Sequence, residues 1–109
     1  MSHWDDQLEK FDAAAALCID FERKGKSMIY TSANGYMFAI LNKDGEIGVR
    51  LSKDDQKSFT DNHESGPYKS YGATMKDYVL VPQHLVDDPH ALAGLMKQSY
   101  AYVMTLPPK

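Results

Sequence analysis

The residues of this chain that could do chemistry stand apart from one another. Its four histidines are His3, His63, His84 and His90. None lies three or four positions from another histidine or from the single cysteine, which is the spacing that metal-binding helices use. One cysteine also excludes a zinc site built on several cysteines, and it excludes an intramolecular disulfide. The sequence therefore predicts a protein without a metal and without a cofactor.

Two further motifs look chemical but have a simpler explanation. Cys18 falls on the apolar face of a predicted helix, where a cysteine is usually a small buried hydrophobe and not a nucleophile. Gly25-Lys26-Ser27 resembles the end of a phosphate-binding loop. That motif also needs a glycine five residues earlier, where Asp20 stands, and it opens a helix, whereas a strand is predicted here.

Paired carboxylates are the remaining candidates for acid–base catalysis. They are Asp54 with Asp55 and Asp87 with Asp88. Neighbouring side chains point in different directions, and both pairs stand at predicted helix starts, where carboxylates cap and stabilise the helix. We therefore predict that the protein is not an enzyme.

The tyrosines are the more informative side chains, because seven occur in 109 residues and buried phenols need hydrogen-bond partners. Tyrosine is also enriched in protein interfaces. On the last predicted helix, Tyr100 should flank the core-facing stripe together with Ala93, Lys97 and Met104. We predict a partner-binding surface on this helix edge and the neighbouring strand, formed by Tyr100, Lys97, Met104, Tyr68 and Tyr71. The alternative is that Tyr100 packs beneath residues 68–71 and only stabilises the fold.

Composition indicates one globular domain over residues 1–109. Hydrophobic residues make up 43% and charged residues 25%, an ordinary globular balance. The first nine residues are polar and acidic, unlike a signal peptide, and no apolar run reaches the ~20 residues that cross a bilayer. A cytoplasmic protein without a membrane partner is expected. The net charge of −3 argues against direct nucleic-acid binding.

Secondary structure can be read from periodicity and from turn residues. Apolar residues from Trp4 to Ile19 recur at helical spacing, and Gly25 is expected to end this first helix. Asn34-Gly35 predicts a tight hairpin turn. Ser52 and Asp88 are expected to cap the second and the last helix, with Pro89 at the first helical position. Strands are predicted over residues 26–32, 36–41, 46–51, 68–71 and 75–81, and helices over 52–62 and 88–106.

The predicted order is α-β-β-β-α-β-β-α in a single two-layer α+β domain. Hairpin connections favour an antiparallel sheet of about five strands with the helices on one face. Residues 36–41 form a near-continuous apolar run, which indicates burial on both sheet faces. The second face could be covered by a second copy in a homodimer, by the first helix or by the tail.

Several short motifs resemble the TfoX N-terminal domain family. They are Asn34-Gly35-Tyr36-Met37-Phe38-Ala39, Lys43-Asp44-Gly45, Val49-Arg50-Leu51, the run from Met75 to Pro82, Asp88-Pro89, Ala101-Tyr102 and the run from Leu106 to Lys109. The resemblance covers roughly residues 26–109, and the first helix contributes only its position. It implies a secretion-chaperone-like α+β fold of bacterial type.

The same resemblance bears on function. Longer family members carry a C-terminal helical domain linked to regulation of natural competence, so the resemblance implies a stand-alone N-terminal-type domain with a regulatory role. The family favours an arginine where Ala73 stands and a Met-Phe-Gly stretch where Met28-Ile29-Tyr30 stands. We predict a non-enzymatic protein-interaction or regulatory module whose partner is a protein. The alternatives are a nucleic-acid-associated transcription cofactor, which salt-dependent DNA binding would reveal, and a small-molecule binding protein, which a thermal-shift ligand screen would reveal.

Overall fold

The computed structural model describes residues 3–26, 28–63, 67–70 and 73–108. Four helices and five strands are named here in chain order. They are α1 (His3–Ala16), β1 (Ile29–Ala33), β2 (Tyr36–Leu41), β3 (Ile47–Arg50), α2 (Lys53–Asn62), β4 (Pro67–Ser70), β5 (Ala73–Leu80), α3 (Gln83–Val86) and α4 (Pro89–Met104).

The strands form one antiparallel sheet in the order β1-β2-β3-β5-β4. Asn34 and Gly35 join β1 to β2 with positive φ angles of 56° and 86°, the turn that the sequence predicts. Helices α1, α2 and α4 contribute side chains to one core cluster on one side of the sheet. An α+β domain built on an antiparallel sheet with helices is therefore confirmed.

A β-bulge in β2 explains the long apolar run of that strand. Thr31 pairs with Ala39 and Ser32 with Met37, so Phe38 is an extra residue in the ladder. Phe38 and Ala39 both join the helix-side core, whereas Ile40 belongs to a second cluster. The strand is buried on both faces, as predicted. In a regular strand Phe38 and Ala39 would face opposite sides of the sheet, but the bulge lets both contribute to the helix-side core.

The second sheet face is covered by tyrosines of the same chain. The ring of Tyr68 lies over Gly48, and its hydroxyl group is 3.0 Å from the carbonyl oxygen of Ile40. Tyr68 and Ile40 are fully buried, and the rings of Tyr68 and Tyr78 stack with centroids 6.0 Å apart. Burial of Ile40 therefore needs no second copy, no first helix and no tail. A homodimer stays a prediction.

The predicted caps are present at two helices. Ser52 accepts a hydrogen bond from the backbone N–H of Asp55 at the start of α2. Asp88 accepts hydrogen bonds from the N–H groups of His90 and Ala91 at the start of α4, where Pro89 is the first helical residue. Within the described ranges, no helix is long and apolar enough to cross a bilayer.

Helix α1 is shorter than predicted, because it ends at Ala16 and not near Gly25. Beyond it, Lys24 and Tyr30 exchange two backbone hydrogen bonds of 2.7 and 3.0 Å, which require extended chain on both sides. Gly25 has a φ of 92° and turns the chain between them. The backbone pairing of Lys24 with Tyr30 therefore prevails over the helical periodicity of residues 4–19. Ile19 was predicted to lie on the apolar face of the first helix, but it lies beyond the end of that helix.

A short helix that the sequence did not indicate, α3, lies between β5 and α4. Its Gln83 exchanges side-chain amide hydrogen bonds of 3.0 and 3.1 Å with the buried Gln7 of α1. Gln7 also donates to the carbonyl oxygen of Gly45 in the β2–β3 turn. Four residues are too few for a periodic signal, so these tertiary contacts, and not local pattern, define α3.

Candidate docking surface

Helix α4 is held on the sheet by a buried serine. The hydroxyl group of Ser99 lies between two carbonyl oxygens, that of Phe38 at 3.1 Å and that of Arg50. These two residues stand just beyond the last β2–β3 pair, Ala39 with Val49, so Ser99 supplies a donor where the strand ladder stops. This contact sets which side of α4 faces outward.

The buried stripe of α4 differs from the predicted one at two positions. Leu92, Met96, Ser99 and Val103 are buried as expected. Ala93, which was placed on the exposed edge, is buried instead, and Leu95 is only partly buried. Because Cys18 lies close to Ala93, the chain after α1 covers this turn of the helix.

Tyr100 lies at the margin of the helix-side core and not beneath Tyr68, which is on the opposite sheet face. Its ring stacks on Phe21, with centroids 5.5 Å apart, and meets Phe38 edge-on at 6.0 Å. Phe21 and Phe38 are themselves 4.9 Å apart. Tyr100 therefore contributes to folding, and it also forms, with Phe21, an aromatic wall next to the exposed part of α4.

Of the other two tyrosines predicted for this surface, the structure describes Tyr68. Tyr68 is fully buried on the opposite sheet face, so its assignment to partner binding is wrong. Its side chain is drawn inward because Gly48 leaves space for the ring. Tyr71 lies outside the described residues. Lys97 and Met104 are exposed on α4, as predicted.

Three large apolar side chains are exposed on the two segments that carry Phe21 and Tyr100. Ile19 is 97% exposed and Leu17 is 41% exposed on the segment after α1, and Met104 is 49% exposed on α4. Residues 18–22 line an open depression of about 440 Å³. We call residues 17–23 together with Lys97, Tyr100 and Met104 the α4 surface. Ile19 takes no part in the core, and its side chain is almost wholly exposed to water.

Cys18 is a buried member of the α4 surface, and its burial is the one that the sequence predicts. Its thiol is 3.6 Å from the carbonyl oxygen of Ala14. Burial raises the pKa of this thiol, the charge of Lys97 lowers it, and the charge of Asp20 raises it further. The net shift is upward, which keeps the sulfur protonated and makes it a poor nucleophile.

Arg50 is the centre of a polar cluster on the sheet. The guanidinium group of Arg50 stands 5.3 Å from the ring centroid of Tyr36 and 3.3 Å from a carboxylate oxygen of Asp77. Tyr78 donates a hydrogen bond of 2.7 Å to the carbonyl oxygen of Met37. This cluster joins β2, β3 and β5 and serves the fold. Sequence reasoning missed it, although Arg50 alternates with the apolar residues of its strand.

The ionisation of Tyr78 yields a pH prediction. Burial raises the pKa of Tyr78 to about 12. The charge and the hydrogen bond of Arg50 act against this rise, and the charge of Asp77 adds to it. An unfolded tyrosine ionises near pH ~10, so between the two values only the unfolded state gains from losing the proton. Stability should therefore hold below pH ~10 and fall as the pH rises towards 12. Urea unfolding at stepped pH measures this, and Tyr78→Phe should flatten the alkaline loss, whereas Tyr102→Phe should not.

Two histidines that are distant in sequence meet in the structure. The rings of His63 and His84 lie 5.9 Å apart, and Phe59 packs on His63 at 4.7 Å. Spacing along the chain does not reveal this pair. Among the described residues, no three histidine, cysteine or acidic side chains are grouped so that they could hold a metal ion. A metal-free protein stays a prediction.

The structure is that of an α+β domain in which the last helix, α4, and the segment after α1 both expose apolar side chains. The family model of the TfoX N-terminal domain matches residues 25–103. The chain belongs to this family. The match spans β1 to most of α4 but begins after residues 17–23 and ends before Met104, so of the α4 surface only Lys97 and Tyr100 lie within it. No curated protein and no solved structure matches the chain significantly.

Proposed function

We propose that the protein is a non-enzymatic regulatory module that works in the cytoplasm by docking to another protein through the α4 surface. The observation that carries the proposal is the 97% exposure of Ile19 beside the depression formed by residues 18–22. An apolar side chain of this size in water favours association, because its burial against a partner releases hydrating water.

Two further features support the proposal. Phe21 and Tyr100 stack on each other, and aromatic side chains lose little conformational freedom when a partner packs on them. Membership of the TfoX N-terminal domain family, which is associated with competence regulation, is consistent with a regulatory role. Fold alone does not define function, so the surface residues carry the proposal.

Replacing Ile19 with aspartate is the direct test. Because Ile19 is almost fully exposed, Ile19→Asp should leave the unfolding midpoint nearly unchanged. Loss of a central apolar anchor should weaken partner binding by about 1–3 kcal/mol, or roughly tenfold to a hundredfold. Tyr100→Ala is a poorer test, since Tyr100 also packs on Phe21 and Phe38.

The partner can be captured at the surface itself. A photo-crosslinking amino acid at position 19 should give a discrete adduct in cells of the source organism, and excess wild-type protein should suppress it. The same amino acid at Ser58, an exposed position on α2, is the matched control. An adduct pattern that is identical at both positions, or that Ile19→Asp protein suppresses as well as wild type does, would reject the α4 surface.

A further inference from the structure

We infer that Asn34 is a site of spontaneous deamidation, and that its hydrogen bonds to the end of α4 protect it in the folded protein. The inference goes beyond the proposed function, because it concerns a covalent change of the chain itself. It comes from the residue that follows Asn34 and from the two hydrogen bonds that the side-chain amide makes.

Asn34 is the one asparagine of the chain that a glycine follows. The other two, Asn42 and Asn62, precede Lys43 and His63. Deamidation begins when the backbone nitrogen of the following residue reaches the side-chain carbonyl carbon of the asparagine. Glycine has no Cβ atom, so it hinders this approach least and leaves the backbone the most freedom to make it. The sequence therefore makes Asn34 the most reactive asparagine of the unfolded chain.

The reaction needs only water. The nitrogen of Gly35 bonds to Cγ of Asn34 and gives its proton to the solvent, while the Cγ–Nδ2 bond breaks and Nδ2 takes a proton from water and leaves as ammonia. Water then opens the five-membered imide at one of its two carbonyl groups. Opening at Cγ gives aspartate, and opening at the backbone carbonyl gives isoaspartate, whose main chain runs through Cβ. Either product carries a carboxylate in place of the neutral amide.

In the folded protein, the leaving group is held by the end of α4. Nδ2 of Asn34 donates hydrogen bonds of 3.0 Å to the carbonyl oxygen of Val103 and 2.8 Å to that of Leu106. A side-chain amide has two N–H donors, so both are engaged. Departure of ammonia would break both bonds within a partly buried contact. The amide should therefore persist longer in the folded chain than in the unfolded one.

The β1–β2 turn adds a second restraint. Ala33 pairs with Tyr36, so the strand ladder begins directly on both sides of Asn34 and Gly35. The imide ring fixes the torsion about the Cα–C bond of Asn34, and a turn closed by a ladder has little freedom to adjust this torsion. The hydroxyl group of Tyr36 also donates a hydrogen bond of 2.6 Å to the carbonyl oxygen of Pro107. The reaction thus requires a local opening in which the turn separates from the end of α4.

Deamidation should loosen the last turn of α4. The new carboxylate has no donor for the two carbonyl oxygens, and its charge stands at the negative end of the helix dipole. The same turn is held by the N–H of Thr105, 3.0 Å from the carbonyl oxygen of Tyr102, and by that of Leu106, 3.2 Å from that of Val103. These two bonds should open more often once the amide is lost. Met104 of the α4 surface lies in this turn.

Mass spectrometry of proteolytic peptides measures the reaction. Wild-type protein is incubated at pH ~8, folded in one sample and unfolded in guanidinium chloride in another. Asn34 should deamidate at least about tenfold more slowly in the folded sample, because it reacts through the open state. In the unfolded sample it should react faster than Asn42 and Asn62, which serve as internal references. Equal rates in the two samples would overturn the protection, and an Asn34 that is no faster than Asn42 when unfolded would overturn the site.

Tyr36→Phe is the matched variant. It removes the hydrogen bond to Pro107 and keeps the Asn34-Gly35 sequence, so it should speed deamidation of the folded protein about twofold or more and leave the unfolded rate unchanged. Tyr30→Phe, the same change on the other sheet face, should alter neither rate. A folded-state rate that Tyr36→Phe does not raise would contradict protection by the end of α4.

Hydrogen exchange of the deamidated protein tests the consequence. The amide protons of Thr105 and Leu106 should exchange faster than in the wild-type protein. The amide proton of Leu92, which is bonded to the carbonyl oxygen of Asp88 in the first turn of α4, should exchange as before. Unchanged exchange at Thr105 and Leu106 would show that Asn34 does not hold the end of α4, and the inference would then fail.

Discussion

Replacing Gly48 with alanine is expected to destabilise the protein by about 3 kcal/mol, because overpacking a filled core typically costs 1–3 kcal/mol and occasionally more. A Cβ atom at this position would lie 2.6–2.7 Å from three ring atoms of Tyr68. The ring is fully buried, and its hydroxyl group lies 3.0 Å from the carbonyl oxygen of Ile40, so it has little room to move. Urea unfolding followed by circular dichroism measures the change.

Gly94→Ala is the matched control for this prediction. Gly94 lies inside α4, and a Cβ atom there would meet no other atom within 4 Å. Alanine has a higher helix propensity than glycine, so this variant should be more stable than the wild-type protein by about 0.5–1 kcal/mol. The same chemical change should therefore act in opposite directions at the two positions. Equal effects of the two substitutions would show that Tyr68 does not pack over Gly48 as described.

Replacing Asn34 with aspartate should cost about 2–3 kcal/mol, because the amide of Asn34 caps α4 from the β1–β2 turn. Its Nδ2 group donates hydrogen bonds of 3.0 Å to the carbonyl oxygen of Val103 and 2.8 Å to that of Leu106. A carboxylate of the same shape has no donor, and it places negative charge at the negative end of the helix dipole. Urea unfolding at neutral pH measures the cost.

Asn34→Gly separates the cap from the turn. Glycine keeps the positive φ of 56° that the turn needs but loses both hydrogen bonds, so its cost should be smaller than that of Asn34→Asp, about 1–2 kcal/mol. Protonation of the introduced carboxyl group removes its charge, so the gap between the two variants should narrow as the pH falls from 7 to 3. A gap that stays constant with pH would contradict the charge component of this prediction.

Local signals in the sequence predicted those elements whose determinants lie within a few residues of each other. The positive φ angles of Asn34 and Gly35 follow from residue type, and the cap of α4 follows from Asp88 and Pro89. Capping and turn formation are decided over three or four neighbouring residues, so they can be read before the fold is known. Burial of Cys18 was also predictable, because a lone cysteine on an apolar pattern is seldom exposed.

The docking surface was predicted only in part. Lys97 and Met104 are exposed as their positions on α4 indicate, but Tyr68 is buried and lies on the other sheet face. Ile19, the most exposed apolar residue of the α4 surface, was assigned to a buried helix face. That assignment follows from periodicity, which continues past Ala16 although the helix does not.

By itself, the sequence determined the Asn34-Gly35 turn, the caps of α2 and α4 and the α+β class, because each depends on short-range backbone preference and apolar periodicity. Only the tertiary structure decided where α1 ends, why β2 carries a bulge and which face Tyr68 covers. In each case a distant group competes with the local pattern: Tyr30 pairs with Lys24, Ser99 reaches the carbonyl oxygen of Phe38, and Gly48 makes room for a ring. Periodicity does not encode such pairings, because it records which side of an element is apolar but not which partner the fold brings to it.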